Sequence, residues 1–156
     1  MVARLNELEE SALEDFLFGR ERIALVPLRP ALRELQEGRC FYCGDRLGGA
    51  GEVDHFIPWS RYRDDGLDNL VLADRGCNGA KRDSLASARH LRRWRERMES
   101  PAVPAVAKAE RWPRHPETTL GVARAVYLRL PAGSPLWDSA RSFVPSEKRE
   151  LVGVVG

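Results

Sequence analysis

The sequence has no apolar run near the roughly 18 residues that a membrane span needs. Its N-terminus is acidic, with Glu7, Glu9 and Glu10, and lacks the basic-then-apolar pattern of a secretory signal. A soluble, cytoplasmic protein with no membrane partner is therefore expected. Cysteine is scarce: Cys40, Cys43 and Cys77 are the only three. An odd count in such a setting argues against a disulfide framework and fits a metal site with a fourth, non-cysteine ligand. There is no internal repeat and no low-complexity block, which sets aside solenoids and disordered tails.

What is present is an ordinary globular composition, 43% hydrophobic and 31% charged over 156 residues, enough for a single domain spanning 1–156. Charge is unevenly spread. Residues 1–37 carry more acids than bases, whereas residues 75–114 carry eleven Lys or Arg and four acids. Such a stripe is either a solvated helix face or the footprint of a phosphate-rich partner. Helical spacing marks residues 5–18, and 30–37 read as a short helix with Pro30 in its first turn and Gly38 at its end. Residues 52–59, EVDHFIPW, read as a strand ended by Pro58, and residues 69–73, NLVLA, as a second. A polar loop of about eight residues joins them. A helix is predicted from about Cys77, with a break near Ser84. Beyond it Leu85, Ala88, Leu91, Trp94 and Met98 form an apolar stripe in which Trp94 reads as core. Residues 101–116, with four prolines, look like a connector, and 116–130 like a last helix capped by Thr118. The tail ends in a short polar stretch. Trp112, Trp137 and His115 receive no role.

Chemistry concentrates between residues 39 and 83. Asp54 and His55 are neighbours on a strand and so face opposite sides. One can serve a metal while the other serves a water. Histidine suits deprotonation of water near neutral pH, and a carboxylate is a hard ligand suited to Mg²⁺ or Mn²⁺. Taken alone, each piece has a commonplace reading. Asp-His pairs are often surface pairs, Asn69 alone is a turn residue, and Cys-x-x-Cys can be a redox pair. A redox pair, however, usually adjoins a parallel-sheet unit, which is missing here.

The ordered set is more telling: Cys40-Phe41-Tyr42-Cys43, then Asp54-His55 with Pro58, then Asn69, then Cys77-Asn78-Gly79-Ala80-Lys81. It resembles the HNH endonuclease family, in its zinc-supported Cys-x-x-Cys branch. The resemblance implies an α+β fold: a small ββα-metal core at about 39–83 with a zinc knuckle, a helical N-terminal extension over 1–38 and a helical C-terminal one over 84–156. It implies His55 as general base, Asp54 and Asn78 as ligands of one catalytic Mg²⁺ or Mn²⁺, and Asn69 as the tie that orients the histidine. Lys81 and Arg82, and in the loop Arg61 and Arg63, are the candidates for nucleic-acid contact. Trp59 is read either as a stacking surface for unpaired bases or as packing on the knuckle. The second Cys-x-x-Cys is incomplete, because Asp74 stands three residues before Cys77. A structural Zn²⁺ would then be held by Cys40, Cys43, Cys77 and Asp74. His90 is the alternative fourth ligand, and a lost metal with the loop held by packing is the third possibility.

Three functions compete. One is a DNA endonuclease, for which RNA stays open as a substrate. Another is an inactive zinc-stabilised nucleic-acid-binding module. The last is a subunit docked on a protein partner or a homodimer, within a larger defence or mobile-element complex. The intact Asp54, His55, Asn69 and Asn78 set favours the first, because a binding module has no need of it.

Overall fold

Leu25, Leu28 and Leu32 recur at helical spacing and all three are buried. The chain there forms a 3-10 turn, Val26–Leu28, that runs into helix α1, Arg29–Leu35. The computed structural model describes residues 25–156, so the helix expected over 5–18 lies outside the described residues. The architecture is α+β, as expected: two separate two-stranded antiparallel sheets set among helices.

Strands β1 (Glu52–His55) and β2 (Leu70–Ala73) pair antiparallel, with Asp54 opposite Val71 and His55 opposite Leu70. Every residue of β2 is buried. Its other edge is closed by Gln36, whose side-chain amide donates to Leu72 O at 2.7 Å and accepts from Leu72 N at 2.8 Å. Gln36 thus stands in for a missing third strand. Gly51 enters β1 with φ +80°, and a Cβ there would lie 2.8 Å from Leu72 Cγ, so only glycine fits. Helix α2 (Arg75–Lys81) follows directly and packs on β1.

Four expectations need correction. β1 ends at His55, three residues before Pro58, because Phe56 turns inward and gives its N–H to Asn69 O at 2.8 Å. α2 starts at Arg75 rather than Cys77, because Asp74 caps it by accepting from Cys77 N at 2.7 Å. The proline-rich segment is a helix, α4 (Ala102–Glu110), after α3 (Ala88–Met98). Pro101 is its N-cap and Pro104 falls in its first turn, where a missing N–H costs nothing. Thr118 does not cap α5 (Pro116–Leu128); His115 holds that position and Pro116 starts the helix.

The tail is more structured than its composition suggests. Strands β3 (Pro135–Ser139) and β4 (Ser142–Pro145) form a hairpin, followed by helix α6 (Lys148–Val155). β3 docks on residues 85–87, where Trp137 N donates to Leu85 O and Ser87 N to Trp137 O, each at 2.8 Å. Trp137 and Trp94 are fully buried. Phe56 stacks on Trp94 at 4.8 Å, and Tyr42 meets Trp137 edge-on at 5.2 Å. These aromatic contacts join the first hairpin, the Cys-x-x-Cys turn, α3 and the C-terminal hairpin in one core. No helix of the described residues is long and apolar enough to cross a membrane.

Candidate functional site

The thiol cluster forms where two turns meet. Cys40 and Cys43 lie on the tight turn before β1, and Asp74 and Cys77 on the first turn of α2. One donor atom from each of the four lies within 4.8 Å of every other. Asp74 has two tasks: Oδ1 caps α2, while Oδ2 lies 3.1 Å from Cys43 Sγ. Burial pushes the Cys43 thiol up to about 11, despite help from the Asp45 backbone. Cys77 is pushed further up, by burial first and then by charge at Cys40 and Asp74. Burial works against Asp74 as a carboxylate, but hydrogen bonds from Cys77 and Cys43 still hold it below its usual range. Four prospective anions packed this closely suit a cation that neutralises them. Tetrahedral zinc would need donor atoms about 3.3–3.8 Å apart, a small contraction of this cluster. His90 is outside it. Its Nδ1 accepts from Arg93 at 2.6 Å, its Nε2 faces Asp138 O at 2.7 Å, and its ring stacks on Trp137.

On β1 the alternation separates Asp54 from His55 as expected. Asp54 faces inward and is buried. Its Oδ2 accepts from Tyr42 OH at 2.5 Å and lies 3.0 Å from Lys81 Nζ. Tyr42 is held well above its normal pKa, by burial first and then by the Asp54 charge, so it remains a donor. Lys81 is fully buried and also donates to His55 O at 3.1 Å. This corrects the expectation that Lys81 reaches phosphate: its ammonium points into the site, whereas Arg82, Arg61 and Arg63 are exposed. Asn78, half-buried on α2, donates from Nδ2 to Glu52 Oε2 at 3.3 Å. That bond leaves its amide oxygen available. Asp54 Oδ1 and Asn78 Oδ1 are thus two hard oxygens not committed to these contacts, and they suit a Mg²⁺-type ion.

His55 sits at the opposite face, largely buried, with its ring tilted against Trp59 at 5.3 Å. Its Nε2 is 2.7 Å from Asp65 Oδ1. Among the described residues its Nδ1 has no hydrogen-bond partner. Two residues on, Asn69 grips the backbone from both sides: Oδ1 accepts from Ile57 N at 2.8 Å and Nδ2 donates to Ile57 O at 3.0 Å. The segment 55–57 is therefore clamped three times, by Lys81 at a carbonyl, by Asp65 at the ring and by Asn69 just beyond. Sequence reasoning missed Glu52, Asp65 and Tyr42. Glu52 was findable, since it stands two residues before Asp54 on the same strand face. Asp65 was not, because nothing in an irregular loop says which acid turns back.

A short antiparallel hairpin backed by a helix, with a thiol cluster at its base, makes a ββα arrangement. Residues 40–87 match the family model described as HNH endonuclease, and this segment is an HNH-family module. No curated protein matches the chain. Among solved structures it is similar to the crystal structure of the Type II-C Cas9 enzyme from Actinomyces naeslundii, at 17% identity and a TM-score of 0.32. That match covers 77% of this chain and only 14% of the Cas9 chain, and a likeness so slight carries no argument.

Proposed function

We propose that the protein is a metal-dependent endonuclease that hydrolyses DNA phosphodiester bonds. The observation that carries this reading is the pairing on β1. A carboxylate and an imidazole stand on adjacent residues, with the imidazole fixed at Nε2 and its Nδ1 left for a proton. His55 Nδ1 takes a proton from the attacking water, phosphorus gains that oxygen, and the 3′ oxygen leaves, so the product keeps a 5′-phosphate. Asp54 and Asn78 would hold one divalent cation, which when bound neutralises charge on the phosphate and the leaving oxygen. Cys40, Cys43, Cys77 and Asp74 would hold a structural Zn²⁺ that ties the Cys-x-x-Cys turn to the start of α2. Arg61, Arg63 and Arg82 supply exposed positive charge for the nucleic-acid backbone.

The test is nicking of supercoiled plasmid with Mg²⁺ or Mn²⁺, using EDTA and His55→Ala as controls, with zinc content measured by elemental analysis. Metal-dependent relaxation lost in His55→Ala supports the enzyme. Wild type and mutant that are equally inert, yet both retard DNA on a gel, would replace it with a binding module. About one zinc per chain, lost on Cys43→Ser, supports the knuckle.

A further inference from the structure

We infer that Asp65 is the positioning residue of His55, and that the helices after the HNH module serve to hold Asp65 in place. This deepens the nuclease reading and rests on it for its kinetic consequence. An ionised carboxylate offers no proton, so a 2.7 Å contact with Asp65 Oδ1 requires His55 Nε2 to carry the hydrogen. The neutral ring is then locked as the Nε2–H tautomer, and its lone pair sits on Nδ1, the nitrogen left for water. Without Asp65 the ring can flip or exchange tautomers, and part of the population presents an N–H where a base is needed.

The contact is supported from outside the module. Trp112, just after α4, donates from Nε1 to Asp65 O at 2.7 Å. Leu67 N donates to Pro113 O at 3.0 Å, which pins the same loop one step further on. On the other side Tyr62 OH lies 3.0 Å from Thr119 Oγ1 on α5 and 3.2 Å from Asp64 Oδ2. Asp64 in turn accepts from Gly66 N at 3.1 Å. A Cβ at Gly66 would lie 2.7 Å from Asp64 Oδ2 and 3.1 Å from His115 Nδ1, so a larger residue there would push the Asp64 carboxylate off its contacts. Loop 58–66 is therefore braced by the C-terminal helices, with Asp65 directed back at the imidazole.

The test uses the full chain. Long-range proton–nitrogen NMR, at a pH where the imidazoles are neutral and with His55→Gln to assign the signal, reads the tautomer directly. Wild type is expected as Nε2–H. Asp65→Ala is expected to give a mixture, Asp65→Asn to keep Nε2–H because its amide oxygen still accepts, and Trp112→Phe to fall between. In plasmid nicking, Asp65→Ala should lower kcat about tenfold to a hundredfold, the usual cost of removing an orienting partner, with KM within about twofold. Asp65→Asn should restore most of it. An unchanged tautomer in Asp65→Ala overturns the inference, as does an unchanged kcat or an Asp65→Asn variant no better than alanine. A wild type inert on DNA would refute the nuclease reading alone, because the NMR result still decides whether Asp65 fixes the ring.

Discussion

Replacing Asn69 with alanine removes both ends of its grip on Ile57. Asn69 and Ile57 are each fully buried, so Ile57 N–H and C=O would lose partners at 2.8 and 3.0 Å with little water to replace them. Each unsatisfied buried group costs about 1–3 kcal/mol, and partial water entry keeps the sum near about 2–4 kcal/mol. With a urea slope of about 1–3 kcal/mol per molar, the unfolding midpoint should fall by at least about 0.7 M. The same change frees the backbone two residues past His55. A base displaced by about 1 Å loses on the order of a hundredfold in rate. Asn69→Asp is the sharper probe. It keeps an acceptor for Ile57 N–H but sets a carboxylate oxygen against Ile57 C=O, so near neutral pH it should be no more stable than Asn69→Ala. Urea melts of the three proteins, with nicking rates measured below the transition, decide the matter. If Asn69→Ala keeps its midpoint within about 0.3 M and its rate within about twofold, the tie does not hold the base and the clamp argument fails.

Two further outcomes follow from buried charge. Lys81→Met leaves the Asp54 carboxylate with Tyr42 alone, and breaking such a buried pair should cost about 3–5 kcal/mol. Adding Asp54→Asn should recover part of that loss. Additive single and double mutants in a double-mutant cycle of urea melts would show that the pair is not coupled. Burial of His90, reinforced by Arg89 and Arg93 and opposed by its bond to Asp138 O, lowers its pKa from 6.5 to about 4. A depressed histidine means the unfolded chain binds the proton first as pH falls. Its contribution is therefore full above about 6.5 and lost on the way down to about 4, amounting to about 3 kcal/mol at most. Urea melts across that window should show the slope in wild type and a flatter one in His90→Gln; equal slopes would refute the assignment.

Much of the site was legible in the sequence because its residues act through local geometry. Strand alternation alone separates Asp54 from His55, and Asp74, three residues before Cys77, reaches the cap of α2 within one turn. The apolar stripe through Leu91 and Trp94 likewise showed its buried face. The misreadings arose where long-range contacts overrode local signals. Prolines read as a connector proved to be the first turn of a helix whose Val103 and Ala107 are buried in the core. Trp137, to which the sequence assigned no role, anchors the C-terminal hairpin because it finds Tyr42 and His90, residues that are distant in the chain. Lys81 reads as a phosphate contact, and only the packing of α2 on β1 turns its ammonium to Asp54. Residue identities fix which groups exist, and backbone periodicity fixes which neighbours on one strand or one helical turn can cooperate. That Asp65 faces His55, Glu52 meets Asn78 and Trp112 braces the loop follows only from how distant elements pack. Those pairings depend on where irregular segments cross, and no repeat in the chain encodes that.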